Sequence, residues 1–350
     1  MRWIRFVLLV SMLLTACSVA TGPCQARGLP SYYPTPMGVV GDTPSVDNPQ
    51  ILGCHAGRVA AVAFSPDGQY LASTGNEDGT VGLWDMTAMR EVAILKGPDG
   101  LLMGVAFSPD GSLLAAASRK EAIRVWRLPG RKVVADLSFS DTPWAFAFSP
   151  DSQTLTISTG RRLEARDLAS SEVLFAIDAN GGSFGGVAYS PDGSTLGVTD
   201  PFNHRVLILD ADNGQVRSRL GPTQAANGPM AFHPTEPLLA TADQDGVVYL
   251  YNIESGEQVR QWQGHSDEIN DIGFSPDGRL LATASGRLFN EALNPTDMSV
   301  RLWNVESGNQ LAEYEDFSGP VPSLAFHPSL SYLAVASFDG TVRIWALPWY

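Results

Sequence analysis

Short apolar runs separated by turn residues recur along most of this chain, and from residue 55 onward they repeat with a regular period. VAFSPDG occurs at 62–68 and again at 105–111, and five related segments follow. One aromatic residue marks each copy: Phe64, Phe107, Phe148, Tyr189, Phe232, Phe274 and Phe326. Successive markers lie 43, 41, 41, 43, 42 and 52 residues apart. The sequence therefore contains seven copies of one unit, and the sixth copy carries an insertion.

Each unit is predicted to form four short β-strands. In the sixth unit EINDIGF is followed by the turn SPDG, then by RLLATAS, a loop, SVRLWNV, the turn ESG and NQLAEYE. Runs of this length, apolar or alternating and bounded by turn residues, are typical of strands. In SPDG the proline sets the second φ of the turn, and the glycine takes the left-handed fourth position. A four-stranded unit of 40–45 residues is the size of one β-propeller blade.

The repeats resemble those of the WD40 family. Trp84-Asp85 and Trp303-Asn304 stand at the Trp-Asp position of that family, and Gly264-His265 matches its Gly-His pair. The resemblance covers residues 46–350 and implies an all-β, seven-bladed WD40-like propeller with four-stranded blades. It also implies a structural tetrad in the sixth unit, formed by His265, Ser285, Trp303 and Asp297.

The middle units depart from the family pattern. Units three and four have Arg166 and Leu209 where the family has Trp, and Gly160 and Asn203 where it has Asp. The last unit ends after its third strand, TVRIWAL. We expect VDNPQILGC (46–54) to supply the missing strand, because pairing the two ends in one blade closes the ring and removes an exposed sheet edge.

The amino terminus has the order of a secretory signal. Arg2 and Arg5 precede the apolar run 6–14, which is too short to cross a bilayer as a permanent helix. The following Leu-Thr-Ala-Cys sequence at 14–17 resembles the lipobox of bacterial lipoproteins. The resemblance implies cleavage after residue 16 and acylation of Cys17. An ordinary secretory signal with an incidental cysteine is the alternative. Residues 17–45, rich in Pro and Gly, are expected to form a tether.

The sequence holds three cysteines. If Cys17 carries lipid, Cys24 and Cys54 remain in an oxidising compartment, where they can form one disulfide or stay as two free thiols. Ser18 follows the modified cysteine, and the Asp that retains lipoproteins at the inner membrane of enteric bacteria is absent. We therefore expect an exported protein that is lipid-anchored to a bacterial membrane. In a cell with two membranes we expect the outer one rather than the inner one, on its periplasmic or surface face, and in a cell with one membrane we expect its outer leaflet.

Charge and spacing exclude several classes of function. The chain has 23 Lys and Arg against 37 Asp and Glu, a net charge of −14. This balance argues against binding nucleic acid, and it leaves the lipid as the expected membrane attachment. No His, Cys or carboxylate set has metal-ligand spacing, and no cofactor is expected. The G-x-S-x-G sequence at 181–185 lies between units and leads into a strand, so we expect no catalytic serine there.

The WD40 resemblance places two features of the sequence in loops at one rim of the ring, and both are candidates for binding a partner. The insertion at 285–298 carries Leu288, Phe289 and Leu293, and these apolar residues either contact a partner or pack on their own blade. The second candidate is a basic set with one aromatic residue: Arg119, Lys120, Trp144, Arg161 and Arg162. Arg and Trp are frequent anchors of protein interfaces, although solvated loops have the same composition.

Together these features predict a non-catalytic, lipid-anchored scaffold that binds proteins of the cell envelope through its propeller loops. A second hypothesis is an envelope enzyme or small-ligand receptor that uses the central channel, since propellers host many functions. It would require polar or titratable residues from several blades at one mouth of the channel. A third is a Tol-type periplasmic propeller, whose repeats also contain turns similar to SPDG.

Overall fold

Seven four-stranded antiparallel sheets form the protein, with one sheet for each sequence repeat. A computed structural model describes residues 49–221, 228–288, 296–329 and 331–347. Within these ranges there are 28 strands and one short 3-10 helix, Pro201–Asn203. None of the described helices is long and apolar enough to cross a membrane. The prediction of an all-β, seven-bladed propeller is confirmed.

The strands follow the chain as a simple meander within each blade. Strand β1 (Gln50–Cys54) comes first. Blade 1 is β2 (Val59–Phe64), β3 (Tyr70–Gly75), β4 (Thr80–Asp85) and β5 (Arg90–Lys96). Blade 2 is β6 (Leu102–Phe107), β7 (Leu113–Ser118), β8 (Ala122–Arg127) and β9 (Lys132–Ser138). Blade 3 is β10 (Ala145–Phe148), β11 (Thr154–Ser158), β12 (Arg162–Asp167) and β13 (Val173–Asp178). Blade 4 is β14 (Val187–Tyr189), β15 (Thr195–Asp200), β16 (Arg205–Asp210) and β17 (Val216–Leu220).

The remaining three blades repeat this order. Blade 5 is β18 (Met230–Phe232), β19 (Leu238–Ala242), β20 (Val247–Asn252) and β21 (Gln258–Gln263). Blade 6 is β22 (Ile269–Phe274), β23 (Leu280–Ser285), β24 (Val300–Asn304) and β25 (Gln310–Tyr314). Blade 7 is β26 (Ser323–Phe326), β27 (Tyr332–Ala336) and β28 (Thr341–Ala346), to which β1 adds the fourth strand.

The first strands of neighbouring blades contact one another, so they line the central channel. Because each blade is a meander, the turns that join strands one to two and three to four lie on the same side of the ring. We call this side the turn face. The loops that enter strand one and that join strands two and three lie on the opposite side, the loop face.

The Ser-Pro-Asp-Gly turns are held by the side chains of their own residues. In the first repeat Ser65 Oγ donates to Asp67 Oδ1 at 2.6 Å, and the same carboxylate oxygen accepts from Gln69 N at 3.0 Å. The serine also accepts from Tyr70 N at 2.9 Å. Gly68 has φ of +71°, a left-handed conformation that glycine adopts without steric cost. The repeated sequence therefore fixes each inner hairpin locally.

The ring closes by pairing its two ends, as the sequence predicts. β1 runs antiparallel to β28, with Gln50 opposite Ile344 and Cys54 opposite Thr341. Across the same seam, Val62 N donates to Ser323 Oγ at 3.3 Å, and His327 Nε2 lies 3.0 Å from Gly68 O. The β1–β28 ladder thus completes blade 7, and these two hydrogen bonds connect blade 7 to blade 1.

A buried hydrogen-bond chain stabilises blade 6, but one member of the predicted tetrad is different. His265 Nδ1 lies 3.2 Å from Asp297 Oδ1, and its Nε2 lies 2.7 Å from Thr283 Oγ1. Trp303 Nε1 donates to the same Thr283 oxygen at 2.9 Å. Ser285, the predicted member, instead donates to Glu268 O at 2.9 Å. The assignment of Ser285 is wrong because the hydroxyl that accepts from the indole belongs to Thr283, two residues earlier on β23 and on the same face of the strand.

Blades 3 and 4 use ion pairs where the tetrad is missing. In blade 3 the buried Glu164 accepts from Arg166 Nε at 2.6 Å. In blade 4 the buried Asp200 accepts from Arg205 Nε at 2.9 Å and from Asn203 Nδ2 at 2.9 Å. A buried carboxylate needs such partners because desolvation of an unpaired charge is costly. The degenerate repeats therefore keep the blade while they change its polar core.

Candidate functional site

Residues from all seven blades surround one opening of the central channel on the loop face. The opening leads to a cavity of about 360 Å³. Most of its wall comes from positions at or just before the first strand of each blade: Arg58, Ala60, Leu101, Met103, Trp144, Ala145, Gly185, Gly186, Gly228, Pro229, Glu268, Ile269, Asn270 and Pro322. Asn76, Arg119, Leu288 and Phe338 complete it from the loops between strands two and three. We call these residues the channel mouth.

Two arginines of the channel mouth lie over aromatic rings. The guanidinium carbon of Arg58 is 5.1 Å from the ring centroid of Phe338, and Arg58 also forms an ion pair with Glu77. The guanidinium carbon of Arg119 is 5.8 Å from the ring centroid of Trp144. Trp144 is 46% exposed, a large fraction for so large an apolar side chain. The mouth thus presents cation–aromatic pairs to solvent.

Blade 6 contributes an acidic group, Glu268, and an amide group, Asn270, to the mouth. Burial raises the pKa of Glu268, the neighbouring Asp267 raises it further, and Arg287 acts in the opposite direction. Asn270 Nδ2 donates to Gly286 O at 2.6 Å and to Val321 O at 3.1 Å. These bonds hold Gly286, at the start of the insertion, close to Val321, which precedes blade 7. The rigid backbone around the mouth therefore fixes the positions of side chains that come from different blades.

The structure brings some of the predicted basic residues together and separates others. Arg119 and Trp144 meet at the channel mouth, whereas Lys120 lines a groove of about 770 Å³ between blades 1 and 2, with Lys96 on its opposite side. Arg119 and Leu101 line both spaces, so the groove is continuous with the mouth. The groove wall carries both signs of charge, because Glu77, Asp78 and Asp99 line it together with Lys96, Arg119 and Lys120.

The basic residues of blade 3 stand apart from the mouth. Arg162 donates to Asp178 Oδ1 at 2.9 Å and lies 3.4 Å from Glu164 Oε2. Arg161 is exposed in the preceding loop. Neither residue lines the channel mouth, so the predicted basic set divides into two places on the loop face.

The other candidate residues lie at or beyond the edge of the described ranges. Leu288 lines the channel mouth, while Phe289 and Leu293 lie outside the described residues. Cys17 and Cys24 also lie outside them. Cys54 is buried at the end of β1 and is disulfide-bonded. The pairing of Cys24 with Cys54 and the acylation of Cys17 remain predictions.

Three charged or aromatic residues of the mouth were not identified from the sequence: Arg58, Glu268 and Phe338. A usable signal was present for two of them, because Arg58 and Glu268 occupy loops that enter strand one of their repeats, as Trp144 does. Phe338 has no such signal, since it stands in the loop between β27 and β28 beside Asp339, a residue of the repeat pattern. Across the described ranges no three His, Cys, Asp or Glu side chains converge as a metal site.

Comparison with known proteins supports the assignment of the repeats. The family described as WD domain, G-beta repeat matches residues 47–85, 89–127, 230–252, 256–304 and 308–346, more than half of the chain. The unmatched stretch, 128–229, contains blades 3 and 4, where ion pairs replace the Trp-containing core.

Curated relatives share parts of the propeller. Protein groucho of Drosophila melanogaster is 29% identical over 155 residues, which is 44% of this chain and 20% of that protein. Striatin of Mus musculus is 27% identical over 156 residues, 42% of this chain and 18% of that protein. Striatin-4 of Mus musculus is 23% identical over 336 residues, 85% of this chain and 42% of that protein. The matched part is about a fifth of the length of the first two relatives and under half of Striatin-4. The family match and the seven blades together show that this chain belongs to the WD40 repeat family.

Proposed function

We propose that this protein is a non-catalytic scaffold of the cell envelope, anchored by lipid on Cys17, that binds a segment of a protein partner at the channel mouth. The observation that carries the proposal is the convergence of Arg58, Arg119, Trp144 and Phe338 on one opening. WD40 propellers generally bind protein partners, and binding residues on loops of a rigid ring are held in fixed register.

The chemistry of the mouth supports a peptide as the bound group. Arg and Trp are enriched among residues that carry binding energy, because they combine a large contact area with hydrogen-bond donors. Here the indole of Trp144 is exposed beside the Arg119 guanidinium, and the groove between blades 1 and 2 continues outward from them. An extended chain can therefore cross the mouth and continue into the groove.

The disulfide at Cys54 supports export. Structural disulfides persist in oxidising compartments and are rare in the cytosol. Cys54 is disulfide-bonded, and the signal-like segment 1–16 precedes it in the chain. Both features favour a position outside the cytosol, and lipid on Cys17 would keep the propeller at the membrane there.

The test of this function is a double substitution at the mouth, Arg119→Ala with Trp144→Ala. We expect at least about tenfold weaker retention of the partner in quantitative pull-downs of the mature, lipidated protein, as for loss of paired interface anchors. Arg279→Ala is the matched control, because Arg279 is an exposed arginine on the turn face. Equal recovery of every partner by the double variant and the wild type would contradict the proposed site.

A second candidate function uses the same cavity for a small ligand. The cavity of about 360 Å³ has Glu268, Arg58 and Arg119 as the charged residues of its wall, which favours a compact charged molecule. A receptor of this kind would bind a small molecule at the mouth. In pull-downs, substitution of Trp144 would then change the recovery of no protein. The two functions are distinguished by that single comparison.

A further inference from the structure

The turn between strands three and four of blade 2 differs from the equivalent turns of the other blades. In blades 1, 3, 4, 5 and 6 the turn begins with Asp85, Asp167, Asp210, Asn252 and Asn304. Each of these side chains accepts hydrogen bonds from backbone amides two or three residues further on. Blade 2 has Arg127 at this position, and a guanidinium has no acceptor with which to cap the turn.

A second position of the same turn is also unfavourable for its residue. The fifth residue of the turn has a positive φ in all six blades: it is glycine in blades 4, 5 and 6, Met89 in blade 1, Ser171 in blade 3, and Arg131, with φ of +56°, in blade 2. A left-handed conformation costs an arginine energy that a glycine does not spend. Arg127 is the departure that blade 2 alone shows, whereas blades 1 and 3 also have a residue other than glycine at the fifth position; Lys132 follows Arg131 directly. Folding of the blade does not explain Arg127, because local structure would favour Asp or Asn there.

These three cations are available to a partner. Arg127, Arg131 and Lys132 are all exposed, and none of them takes part in an ion pair within the described residues. The equivalent turns of blades 3 to 6 contain Asp or Glu and no Lys or Arg, and the blade 1 turn has a single arginine, Arg90, at the position of Lys132. The blade 2 turn is thus the most basic of the six turns that join strands three and four.

A small cavity lies directly beside the turn, between blades 1 and 2. It has a volume of about 190 Å³, and Leu83, Phe107, Leu128 and Pro129 form its apolar wall. Arg131 lies at its edge. The acidic residue of this cavity, Asp67, already accepts hydrogen bonds from Ser65 Oγ and Gln69 N. The site therefore combines room for one apolar side chain with cations next to it.

We propose that the blade 2 turn, residues 127–132, with this adjoining cavity is a second interaction surface that binds an acidic segment of a partner protein containing one apolar anchor residue. A flat anionic membrane fits the site less well. It would approach the whole turn face and bring the acidic turns of the neighbouring blades against its own negative charge. A narrow peptide contacts blade 2 alone.

The site is tested with labelled peptides and a variant that restores the local rules. Arg127→Asp, Arg131→Gly and Lys132→Gln together give blade 2 a turn similar to DADNGQ of blade 4. The probe is a fluorescent peptide in which Glu residues flank a central Leu, and its binding is measured by anisotropy against the mature chain at low salt. We expect saturable binding by the wild type, at least about tenfold weaker binding by the triple variant, and an unfolding temperature that is unchanged or higher.

Matched controls separate charge, anchor and location. The same peptide with Gln for Glu, and the peptide with Ala for Leu, are both expected to bind more weakly. Arg279→Gln removes an exposed cation elsewhere on the turn face and is expected to leave binding unchanged. The proposal is overturned by the absence of saturable peptide binding, by equal binding of the triple variant, or by binding of anionic phospholipid vesicles in place of the peptides. Because the channel mouth lies on the opposite face, none of these results bears on the proposed function.

Discussion

In blades 1 and 6 one buried hydroxyl group connects the histidine and the tryptophan of the polar core. Blades 1 and 6 share the same chain of bonds: in blade 1, Trp84 Nε1 donates to Ser73 Oγ at 2.8 Å, and His55 Nε2 lies 2.8 Å from that oxygen. Ser73 and Thr283 both lie nine residues after the aromatic marker of their repeats. Alignment of the two repeats therefore predicts Thr283 as the hydroxyl of the tetrad, whereas the residues of blade 6 taken alone do not distinguish Thr283 from Ser285.

Replacement of Thr283 by Val is expected to destabilise the protein far more than replacement of Ser285 by Ala. Thr283→Val keeps the shape of the side chain but leaves His265 Nε2 and Trp303 Nε1 buried without partners, a cost of about 2–4 kcal/mol. Ser285→Ala removes one bond to Glu268 O, worth about 1 kcal/mol. Chemical denaturation of both variants measures the difference. A larger loss in Ser285→Ala would reverse the assignment.

A buried carboxylate between blades 6 and 7 gives the stability of the ring a pH dependence. Asp271 accepts from Leu324 N at 2.8 Å and from its neighbour Ile272 N at 2.8 Å. Burial raises its pKa to about 6, against the smaller opposing effect of these bonds and of Ser323. Since the folded pKa exceeds the unfolded one, its contribution to stability is fully present at low pH and is lost as the pH rises through about 6.

Asp271→Asn is therefore expected to flatten the stability profile between pH 7 and pH 4. Between pH 7 and pH 4 the free energy of unfolding of the wild type should rise by about 2 kcal/mol relative to that of the variant. Asp78 is the control of opposite sign. Burial alone would raise its pKa, but the hydrogen bond and charge of His55 lower it to about 2, so its contribution is lost only in stronger acid. Parallel profiles for the wild type and Asp271→Asn would show that Asp271 does not titrate in this range.

At the scale of strands, the closing strand β1 is held by more than its ladder with β28. Cys54, at the end of β1, is disulfide-bonded, and Ile51 packs against it in a small apolar cluster. If Cys24 is the partner, as predicted, this bond ties the preceding sequence to the seam between the first and last blades. Restriction of the unfolded chain by such a bond is typically worth about 2–4 kcal/mol.

Reduction of the mature protein is expected to lower its thermal stability and to open the seam first. Hydrogen exchange should rise in Gln50–Cys54 and in Thr341–Ala346 before it rises in blades 3 to 5. Cys24→Ser should reproduce the effect of Cys54→Ser if these two residues are the pair. Unchanged exchange in β1 and β28 after reduction would show that the bond does not stabilise the closure.

The sequence predicts the number of blades and the closing strand because both depend on local turns and on the repeat period. It does not predict the polar cores of blades 3 and 4, where Glu164 pairs with Arg166 and Asp200 with Arg205. These pairs replace the Trp and His of the family pattern, and no spacing rule connects them. The channel mouth was predictable only in part, because residues such as Arg58 and Phe338 meet there through the curvature of the whole ring.

For the molecule as a whole, lipid on Cys17 is the proposed link between the propeller and its membrane. Cys17→Ala should abolish incorporation of labelled fatty acid and move the protein from the membrane fraction to the soluble fraction of the envelope. Two or more acyl chains are needed for stable anchoring, so partial acylation should give partial release. Ser18→Ala serves as the matched control, with fractionation unchanged. A membrane-bound Cys17→Ala protein would contradict the anchor.

The channel mouth as the surface that holds a protein partner is the central claim, and crosslinking from Trp144 in intact cells tests it most directly. A photoreactive amino acid replaces Trp144 in one variant and Leu174, an exposed residue on the outermost strand β13 of the same blade, in the other. The account predicts a covalent adduct with an envelope protein from position 144 and none from position 174. An adduct with that protein at equal yield from position 174, or no adduct from position 144, would contradict it.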